Sequence, residues 1–379
     1  MNKETLSRRG ILKTAAQSGA AVCAVAAGSA RLAAQAQTGG RDPAQGDQRL
    51  SLEQLRQWES LRYGMFIHFG MSTYVENELP DGKAPASVYA PDRLNVDQWV
   101  SVARDAGMKY AVLTTKHVAG HCLWPSKHTS YTVANSGNKT DVVEQFVKAC
   151  EKRGVLPGFY YCSWDNHNRF GSRTPSDPNT LWEFGMSRFA ELERRTSTQP
   201  SAPLPAYTTS VYQGFQTMQI TELLTQYGPI AETWIDIPGV LGRGYREYLY
   251  NTIARLQPQT VIMMNSGISS GESYPVDYAW PSDIIAIERR LPPGKGHEKW
   301  RTIEGRRCYM PGEVCDPIGK DWFFTPDDKP RSDDALLDIL QSCLDRGVNL
   351  LLDVPPDKHG LIPDMHVQAL QRLRANAKI

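Results

Sequence analysis

The chain has 379 residues, and its 42 lysines and arginines almost balance its 41 aspartates and glutamates, which leaves a formal charge of +1. This balance gives no basic surface for nucleic acid or for an anionic membrane, and it favours a small neutral partner. The length is enough for one large α/β barrel with a single core.

The first 36 residues have the pattern of a twin-arginine export signal. Arg8 and Arg9 precede an Ala-rich, weakly apolar stretch that ends at the small-residue site Ala34-Gln35-Ala36. Polar residues limit the apolar run to fewer than the roughly 18 residues that a membrane span requires. We therefore predict a signal over 1–36, a flexible linker over 37–50 and one barrel domain over 51–379, in a periplasmic or secreted protein without a membrane span.

Helical patterns and apolar runs then alternate along the chain. The first predicted strand is "RYGMFIHFG", and four later runs each follow a helical pattern that ends in glycine: "DAGMKYAVLTTKH", "KRGVLPGFYYCSW", "QYGPIAETWIDIP" and "DRGVNLLLDVPP". The glycines stand where a left-handed helix terminus favours a residue without a Cβ, at positions 107, 154, 228 and 347. The runs are almost continuously apolar, which is typical of parallel strands covered on both faces.

Two of the preceding helices carry further signals. The segment "NVDQWVSVARDAG" begins at Asn95 with Gln98 three residues later, which predicts a capping pair. The segment "TDVVEQFVKACEKRG" places an apolar stripe at positions 142, 143, 146, 147 and 150. With "TVIMMNS" as a further strand, the alternation predicts a single-domain (β/α)8-like, TIM-type barrel of the α/β class. A doubly wound open sheet is the alternative.

One connection is much longer than the others. Some forty residues separate "YYCSWDNHN" from the helix "QGFQTMQITELLTQYG", and they include the helical pattern "LWEFGMSRFAELERR". Long insertions after a strand fall on the face where barrels build their active sites, so this one either walls a pocket or forms a surface loop without a role.

Six cysteines follow the predicted signal and show no metal-ligand spacing. Cys308 and Cys315 are close enough to bridge a loop in an oxidising compartment, although their spacing does not decide it. We expect the other four to be small core residues: Cys122, Cys150, Cys162 and Cys343. The sequence predicts no cofactor and no metal.

Polar and aromatic residues follow the predicted strands. If the barrel is right, its catalytic face collects His68, Lys116, His117, Trp164, Asp165, Trp234, Asp236, Asn265, Glu288 and Asp353. A single histidine here is often a core residue, and a single aspartate such as Asp236 is often a turn cap. The combination instead favours a carbohydrate pocket, because aromatic rings stack on sugar C–H faces while histidine, asparagine and lysine bind hydroxyls.

Five long segments of the chain are informative when they are taken together: "RYGMFIHFGMSTY", "WVSVARDAGMKYAVLTTKHVAGHCLWPSKHTSY", "DVVEQFVKACEKRGVLPGFYYCSWD", "ELLTQYGPIAETWID" and "GVNLLLDVPPDKHGLIP". In their order and spacing they resemble the catalytic domain of glycoside hydrolase family 29, the α-L-fucosidases. The resemblance runs from about residue 52 to 367. It implies a (β/α)8-like barrel and a retaining exo-hydrolase that removes terminal fucose without a metal, and it predicts a fucosylated oligosaccharide or glycan as partner. The family's C-terminal β-sandwich is not expected in this chain.

The resemblance also implies catalytic residues. The family's Trp-x-Asp strand supplies the nucleophile, which falls on Asp236 with Trp234 beside it, and its general acid falls on Glu288 in "SDIIAIERRLPPG". A retaining pair is separated by about 5 to 5.5 Å, so we predict the Glu288 carboxylate within about 7 Å of Asp236. Glu272 and Glu78 are the rival acids, and an ion pair with Arg289 or Arg290 is the alternative role for Glu288.

The implied sugar-binding residues carry over only in part. They are His68, His117, Trp124, Tyr161, Trp234 and Asn265. The chain departs from the family pattern where Val118 replaces a second histidine, His121 stands in place of phenylalanine, Ile237-Pro238 replaces a glycine, and an arginine beyond Asn265 is missing. The lost histidine and the lost arginine each remove hydrogen bonds to sugar hydroxyls. The resemblance makes an exo-α-L-fucosidase the leading hypothesis. Because of the departures, the alternatives are an exo-glycosidase for another sugar and a non-catalytic carbohydrate-binding protein.

Overall fold

The sheet of this protein follows the strand order of a barrel. The computed structural model describes residues 44–168, 210–265, 280–292 and 294–378. Within them, eight parallel strands pair in the order β5-β4-β3-β2-β1-β10-β9-β6. Their bounds are β1 Tyr63–Ile67, β2 Tyr110–Lys116, β3 Leu156–Cys162, β4 Glu232–Asp236, β5 Val261–Met264, β6 Ile285–Glu288, β9 Gly312–Pro317 and β10 Asn349–Asp353.

The two end strands, β5 and β6, meet through the residues that precede β6. The Asp283 backbone N–H donates to the Ile262 carbonyl at 2.8 Å, and the Ile262 N–H donates back to the Asp283 carboxylate at 2.8 Å. The Met264 N–H donates to the Ser282 hydroxyl at 3.0 Å. The sheet is thus nearly closed, which confirms the barrel and rejects the open doubly wound sheet.

Helices surround this sheet in the described part of the chain. They are α1 Leu52–Glu59, α2 Met71–Val75, α3 Val96–Asp105, α4 Val142–Arg153, α5 Ser210–Gln226, α6 Arg243–Leu256, α7 Asp333–Asp345 and α8 Asp364–Ala377. Between β6 and β9 the connection is an antiparallel hairpin, β7 Trp300–Ile303 and β8 Arg306–Tyr309. None of the described helices is both long and apolar enough to cross a bilayer.

The local sequence signals act as predicted. The four glycines after helical patterns all have positive φ, between 68° at Gly347 and 87° at Gly107. The Asn95 side chain accepts from the Gln98 N–H at 3.0 Å, but the Gln98 amide donates to the Ile362 carbonyl, so only half of the capping pair forms. The stripe of α4 is buried except for Val147, which is partly buried.

The predicted core cysteines are buried, as expected. Cys308 in β8 and Cys315 in β9 are also buried, and both are thiols, so the bridge that their spacing allows is not formed. Most of the long connection after β3, including its predicted helical pattern, lies outside the described residues.

Candidate active site

Asp236 is the last residue of β4, and its carboxylate is held by two side chains from neighbouring strands. The Tyr160 hydroxyl donates to Oδ2 at 2.5 Å, and the Asn265 amide donates to Oδ1 at 2.7 Å. The short 3₁₀ turn Pro238–Val240 that follows has no side-chain cap. The carboxylate is therefore not a turn cap, because its hydrogen bonds hold it at the carboxyl end of the barrel.

Glu288 is the last residue of β6, and the same asparagine reaches it. The Asn265 Nδ2 atom lies 3.4 Å from Glu288 Oε2 and 2.7 Å from Asp236 Oδ1. Those two oxygens can therefore be no farther apart than the sum of the two distances, about 6 Å, which is within the separation predicted from the sequence.

The surroundings of Glu288 suit a proton donor. Burial raises the pKa of its carboxyl to about 7, and the negative charge of Asp236 adds to the rise. The Asn265 hydrogen bond and the Arg289 charge act in the opposite direction and do not cancel it. A carboxyl with this pKa is about half protonated at neutral pH, so it can give up a proton as a general acid.

Arg289 does not form the ion pair that would give Glu288 a purely structural role. Its backbone has a positive φ of 54°, which turns the chain out of the strand. The guanidinium donates to the Lys320 carbonyl at 2.9 Å and lies 4.7 Å from the centre of the Trp322 ring. Arg290 is exposed. Neither arginine is within ion-pair distance of Glu288 in the described part of the chain.

The rival acids are placed less directly. Glu78 lies in the loop after α2, where burial and the charge of Asp236 raise the pKa of its carboxyl. No described side chain links Glu78 to Asp236 in the way that Asn265 links Glu288. Glu272 lies outside the described residues.

Two neutral histidines stand beside the carboxylates. His68, just after β1, is buried with its Nδ1 atom 2.8 Å from Asp353 Oδ1, and burial lowers its pKa to about 3. Burial also holds the pKa of His117 well below its usual value, and its ring stacks on Tyr160 at 5.7 Å and 19°. The two imidazole rings lie 5.7 Å apart. Both predicted histidines therefore join the site in their neutral form, able to hydrogen-bond hydroxyl groups.

An aromatic pair that the sequence analysis did not identify completes this wall. Trp322 and Phe323 follow β9, and each ring lies 5.2 Å from His68. Phe323 also packs edge-on against His117 at 4.9 Å. The sequence signal was the run "DWFF" a few residues beyond a strand, at the edge where the other strand ends carry the site.

The structure places Tyr160, and not the predicted Tyr161, next to the carboxylates. Tyr160 points into the barrel, where it contacts Asp236 and His117, whereas the predicted Tyr161 donates to Gln219 on α5 at 2.8 Å. Successive strand residues point to opposite faces, so a shift of one residue exchanges the pocket for the helix layer.

Two predicted tryptophans also lie away from the carboxylate pair. The Trp234 ring stacks beneath Tyr160 at 5.7 Å, and its indole N–H donates to Glu313 at 3.0 Å, so it forms the floor of the site. Trp124 is buried, and its indole N–H donates to Glu222 on α5 at 3.1 Å. The structure does not bring Trp124 to the carboxylates.

Two other strand ends are structural. Lys116 and Asp165 form a fully buried ion pair at 2.6 Å, and the Lys116 ammonium lies 4.2 Å from the centre of the Tyr161 ring. Trp164 donates its indole N–H to Asn166. Lys116 and Asp165 therefore bind each other and contact the helix layer, and they do not belong to the carboxylate site.

Known proteins share this fold and much of this sequence. The family model described as alpha-L-fucosidase matches residues 82–376. Alpha-L-fucosidase 1 of Arabidopsis thaliana is 31% identical over 343 residues, which cover 85% of this chain and 59% of the relative. A rice relative, from Oryza sativa subsp. japonica, is 30% identical over 83% of this chain and 56% of its own length. The chain therefore spans less than two thirds of these curated relatives.

A solved structure is also similar to this chain. Alpha-L-fucosidase isoenzyme 1 from Paenibacillus thiaminolyticus superposes with a TM-score of 0.66 and 25% identity, over 86% of this chain and 75% of that one.

Proposed function

The chain belongs to the alpha-L-fucosidase family of glycoside hydrolases, and we propose that it releases terminal α-L-fucose from glycans by a retaining mechanism. The observation that carries the proposal is the pair Asp236 and Glu288. The two oxygens that Asn265 contacts, Asp236 Oδ1 and Glu288 Oε2, are at most about 6 Å apart, and the pKa of the Glu288 carboxyl is raised to about 7.

In this proposal Asp236 attacks the anomeric carbon and forms a glycosyl ester, while Glu288 gives its proton to the leaving oxygen. Glu288 then takes a proton from the water that attacks the ester, so the sugar leaves with its original anomeric configuration. The hydrogen bonds from Tyr160 and Asn265 orient the Asp236 carboxylate for this attack.

The walls of the site suit a small neutral sugar with an apolar edge. His68 and His117 can bind hydroxyls, and Trp322 and Phe323 offer ring faces to C–H groups. A 6-deoxy sugar such as fucose presents both kinds of surface.

The proposed function is tested with aryl glycosides. Incubation of the protein with 4-nitrophenyl α-L-fucoside, alongside the matching galactoside, xyloside and glucoside, should release nitrophenol from the fucoside fastest. Release from another sugar alone would replace fucose by that sugar. Release from none of them, with binding of fucose retained, would favour a carbohydrate-binding protein.

The location of the protein is a separate proposal, supported by the Arg8 and Arg9 pair alone. The protein should accumulate in the periplasm, and the double change Arg8→Lys with Arg9→Lys should hold it in the cytoplasm. Export that survives the double change would mean that the pair is only the basic start of an ordinary signal.

A further inference from the structure

We propose that Asn265 is a positioning residue that assigns unequal roles to the two carboxyls: it orients Asp236 as a hydrogen-bond acceptor for attack and favours the Glu288 proton on the oxygen that Asn265 does not contact. The inference rests on the proposed function and adds a residue role to it.

The geometry of the amide carries the inference. One nitrogen, Asn265 Nδ2, lies 2.7 Å from Asp236 Oδ1 and 3.4 Å from Glu288 Oε2. An amide NH₂ group can donate two hydrogen bonds and accept none. Both oxygens must therefore present lone pairs to it, and neither can carry a proton on the side that faces Asn265.

This restriction acts differently on the two carboxyls. Asp236 accepts from Tyr160 on its other oxygen as well, so both of its oxygens are acceptors and the ionised form is fully satisfied. Glu288 accepts only the longer bond, on Oε2, and no described residue donates to its Oε1. When Glu288 is protonated, the proton is therefore favoured on Oε1, because a protonated Oε2 would be a weaker acceptor for Asn265.

The surroundings of Asn265 fix the position of its amide between the two carboxyls. It follows β5, its side chain is almost fully buried, and its backbone N–H donates to the Ile235 carbonyl at 2.8 Å on the strand that carries Asp236. The position of the amide is thus tied to the strand of the nucleophile.

Other groups also act on Glu288 and must be separated from Asn265 in a test. Asp236 faces it from β4, Glu78 from the loop after α2, and Cys315 pairs with it from β9. Arg289 is its chain neighbour and opposes the proton. Asn265 differs from all of these because it contacts both carboxyls and has no charge.

The test compares the same asparagine-to-aspartate change at two positions, Asn265 and Asn77, and adds the removal of the Asn265 amide. Asn265→Asp replaces the bridging amide by a carboxylate, and Asn265→Ala removes it. Asn77→Asp is the matched control, because Asn77 is exposed in the loop beside Glu78 and uses only its side-chain oxygen, which accepts from the Leu79 N–H at 3.1 Å. Thermal melting establishes that each variant is folded.

The readout is the pH profile of kcat/KM for phenyl α-L-fucoside, whose poor leaving group needs the acid's proton. We expect Asn265→Ala to lower kcat/KM by on the order of ten- to a hundredfold and to move the alkaline limb up by about half a pH unit, because ionised Glu288 loses a donor. Asn265→Asp should move that limb farther. Asn77→Asp should move it by less than about 0.2 pH unit, since an exposed charge is screened.

Two results would overturn the inference while the proposed function stands: an alkaline limb that does not move in either Asn265 variant, or an equal shift in Asn77→Asp. If the wild type hydrolyses no α-L-fucoside, the proposed function fails, and the inference is then decided without turnover. In that case the Glu288 carboxyl is followed by ¹³C NMR titration, assigned through Glu288→Gln, and its midpoint must rise in Asn265→Ala.

Discussion

The barrel contains two pairs of acidic residues, one at its mouth and one below it, and both pairs use β4. At the mouth, Asn265 is the described side chain that links Asp236 to Glu288. Two layers lower, Glu232 of β4 and Glu313 of β9 are fully buried, and burial together with the charge of Glu313 raises the pKa of the Glu232 carboxyl. The alternation of β4 places Glu232, Trp234 and Asp236 on the same face, one above the other.

The lower pair accepts hydrogen bonds from side chains of the core. Glu313 accepts from the Tyr110 hydroxyl at 2.6 Å and from the Trp234 indole at 3.0 Å, and Glu232 accepts from the Trp58 indole at 3.2 Å. Burial raises the pKa of both carboxyls, that of Glu313 to about 7. Two buried carboxyls in contact share a proton, because both cannot be ionised side by side.

The two pairs differ in the side chains that contact the carboxyls and in whether a substrate can reach them. The lower carboxyls are fully buried and accept hydrogen bonds from core side chains, so we expect them to stabilise the core. The upper carboxyls are separated by a neutral donor and face the mouth, so one can stay charged while the other keeps a proton that a substrate can reach. Similar residues thus support structure in one layer and chemistry in the next.

Loss of the nucleophile should have the largest effect. Asp236→Ala is expected to lower kcat for aryl fucosides by roughly 10⁴-fold or more, with an unchanged melting temperature, because no other described carboxylate is held in its place. Azide should restore part of the rate by entering the space. Rates near those of the wild type would return Asp236 to a structural role.

Loss of the proton donor should have a smaller and selective effect. Glu288→Ala is expected to slow phenyl α-L-fucoside by on the order of 10²- to 10⁴-fold and to slow the 2,4-dinitrophenyl analogue far less, because only the poor leaving group needs a proton. Equal losses with both substrates would pass the acid's role to Glu78 or Glu272.

Loss of a lower carboxyl should affect stability rather than chemistry. Glu313→Leu leaves the Tyr110 hydroxyl and the Trp234 indole without their acceptor, so we expect the free energy of unfolding to fall by about 3 kcal/mol. The exposed Glu151→Leu on α4 is the control and should change it by less than about 0.5 kcal/mol. Denaturant titration measures both. A Glu313 variant as stable as the control would mean that the lower pair does not support the core.

The lower pair should also give stability a pH dependence. Because the folded protein raises the pKa of Glu232 and Glu313, it keeps a proton that the unfolded chain releases above the ordinary glutamate pKa. The contribution of this pair to the free energy of unfolding should therefore be highest in acid and fall as the pH rises toward about 7.

We expect the free energy of unfolding of the Glu288→Gln protein, taken relative to that of its Glu232→Gln and Glu313→Gln derivative, to fall by at least about 1 kcal/mol between pH 5 and pH 8. The buried histidines, whose pKa values are lowered, raise stability over the same range but contribute equally to both proteins. A difference that does not change with pH would mean that the lower pair keeps no extra proton in the folded protein.

The sequence was sufficient for the barrel and for the positions of Asp236 and Glu288. The repeated order of helix, glycine and apolar run predicts parallel strands, and residues at the carboxyl ends of such strands must meet at one rim. Asn265 was found for the same reason, although its role as a bridge depends on a distance that no pattern encodes.

The rest depended on information that the sequence pattern does not contain. Tyr160 and Tyr161 are adjacent and alike, and a register shift between β2 and β3 near Thr114 and Lys116 hides which of them faces inward. Trp124 belongs to a motif whose side chains divide between pocket and core. The lower pair was missed because a glutamate inside an apolar strand gives no sign of its partner on β9.

The central claim is that Asp236 becomes covalently attached to the sugar. Incubation with 2-deoxy-2-fluoro-α-L-fucosyl fluoride slows the second step of a retaining mechanism, so the intermediate accumulates and peptide mass spectrometry can locate it. The account predicts a single fluorofucosyl ester on Asp236, which is absent from Asp236→Asn. A label on Glu288 or Glu78, or turnover that yields only the inverted sugar with no label, would contradict it.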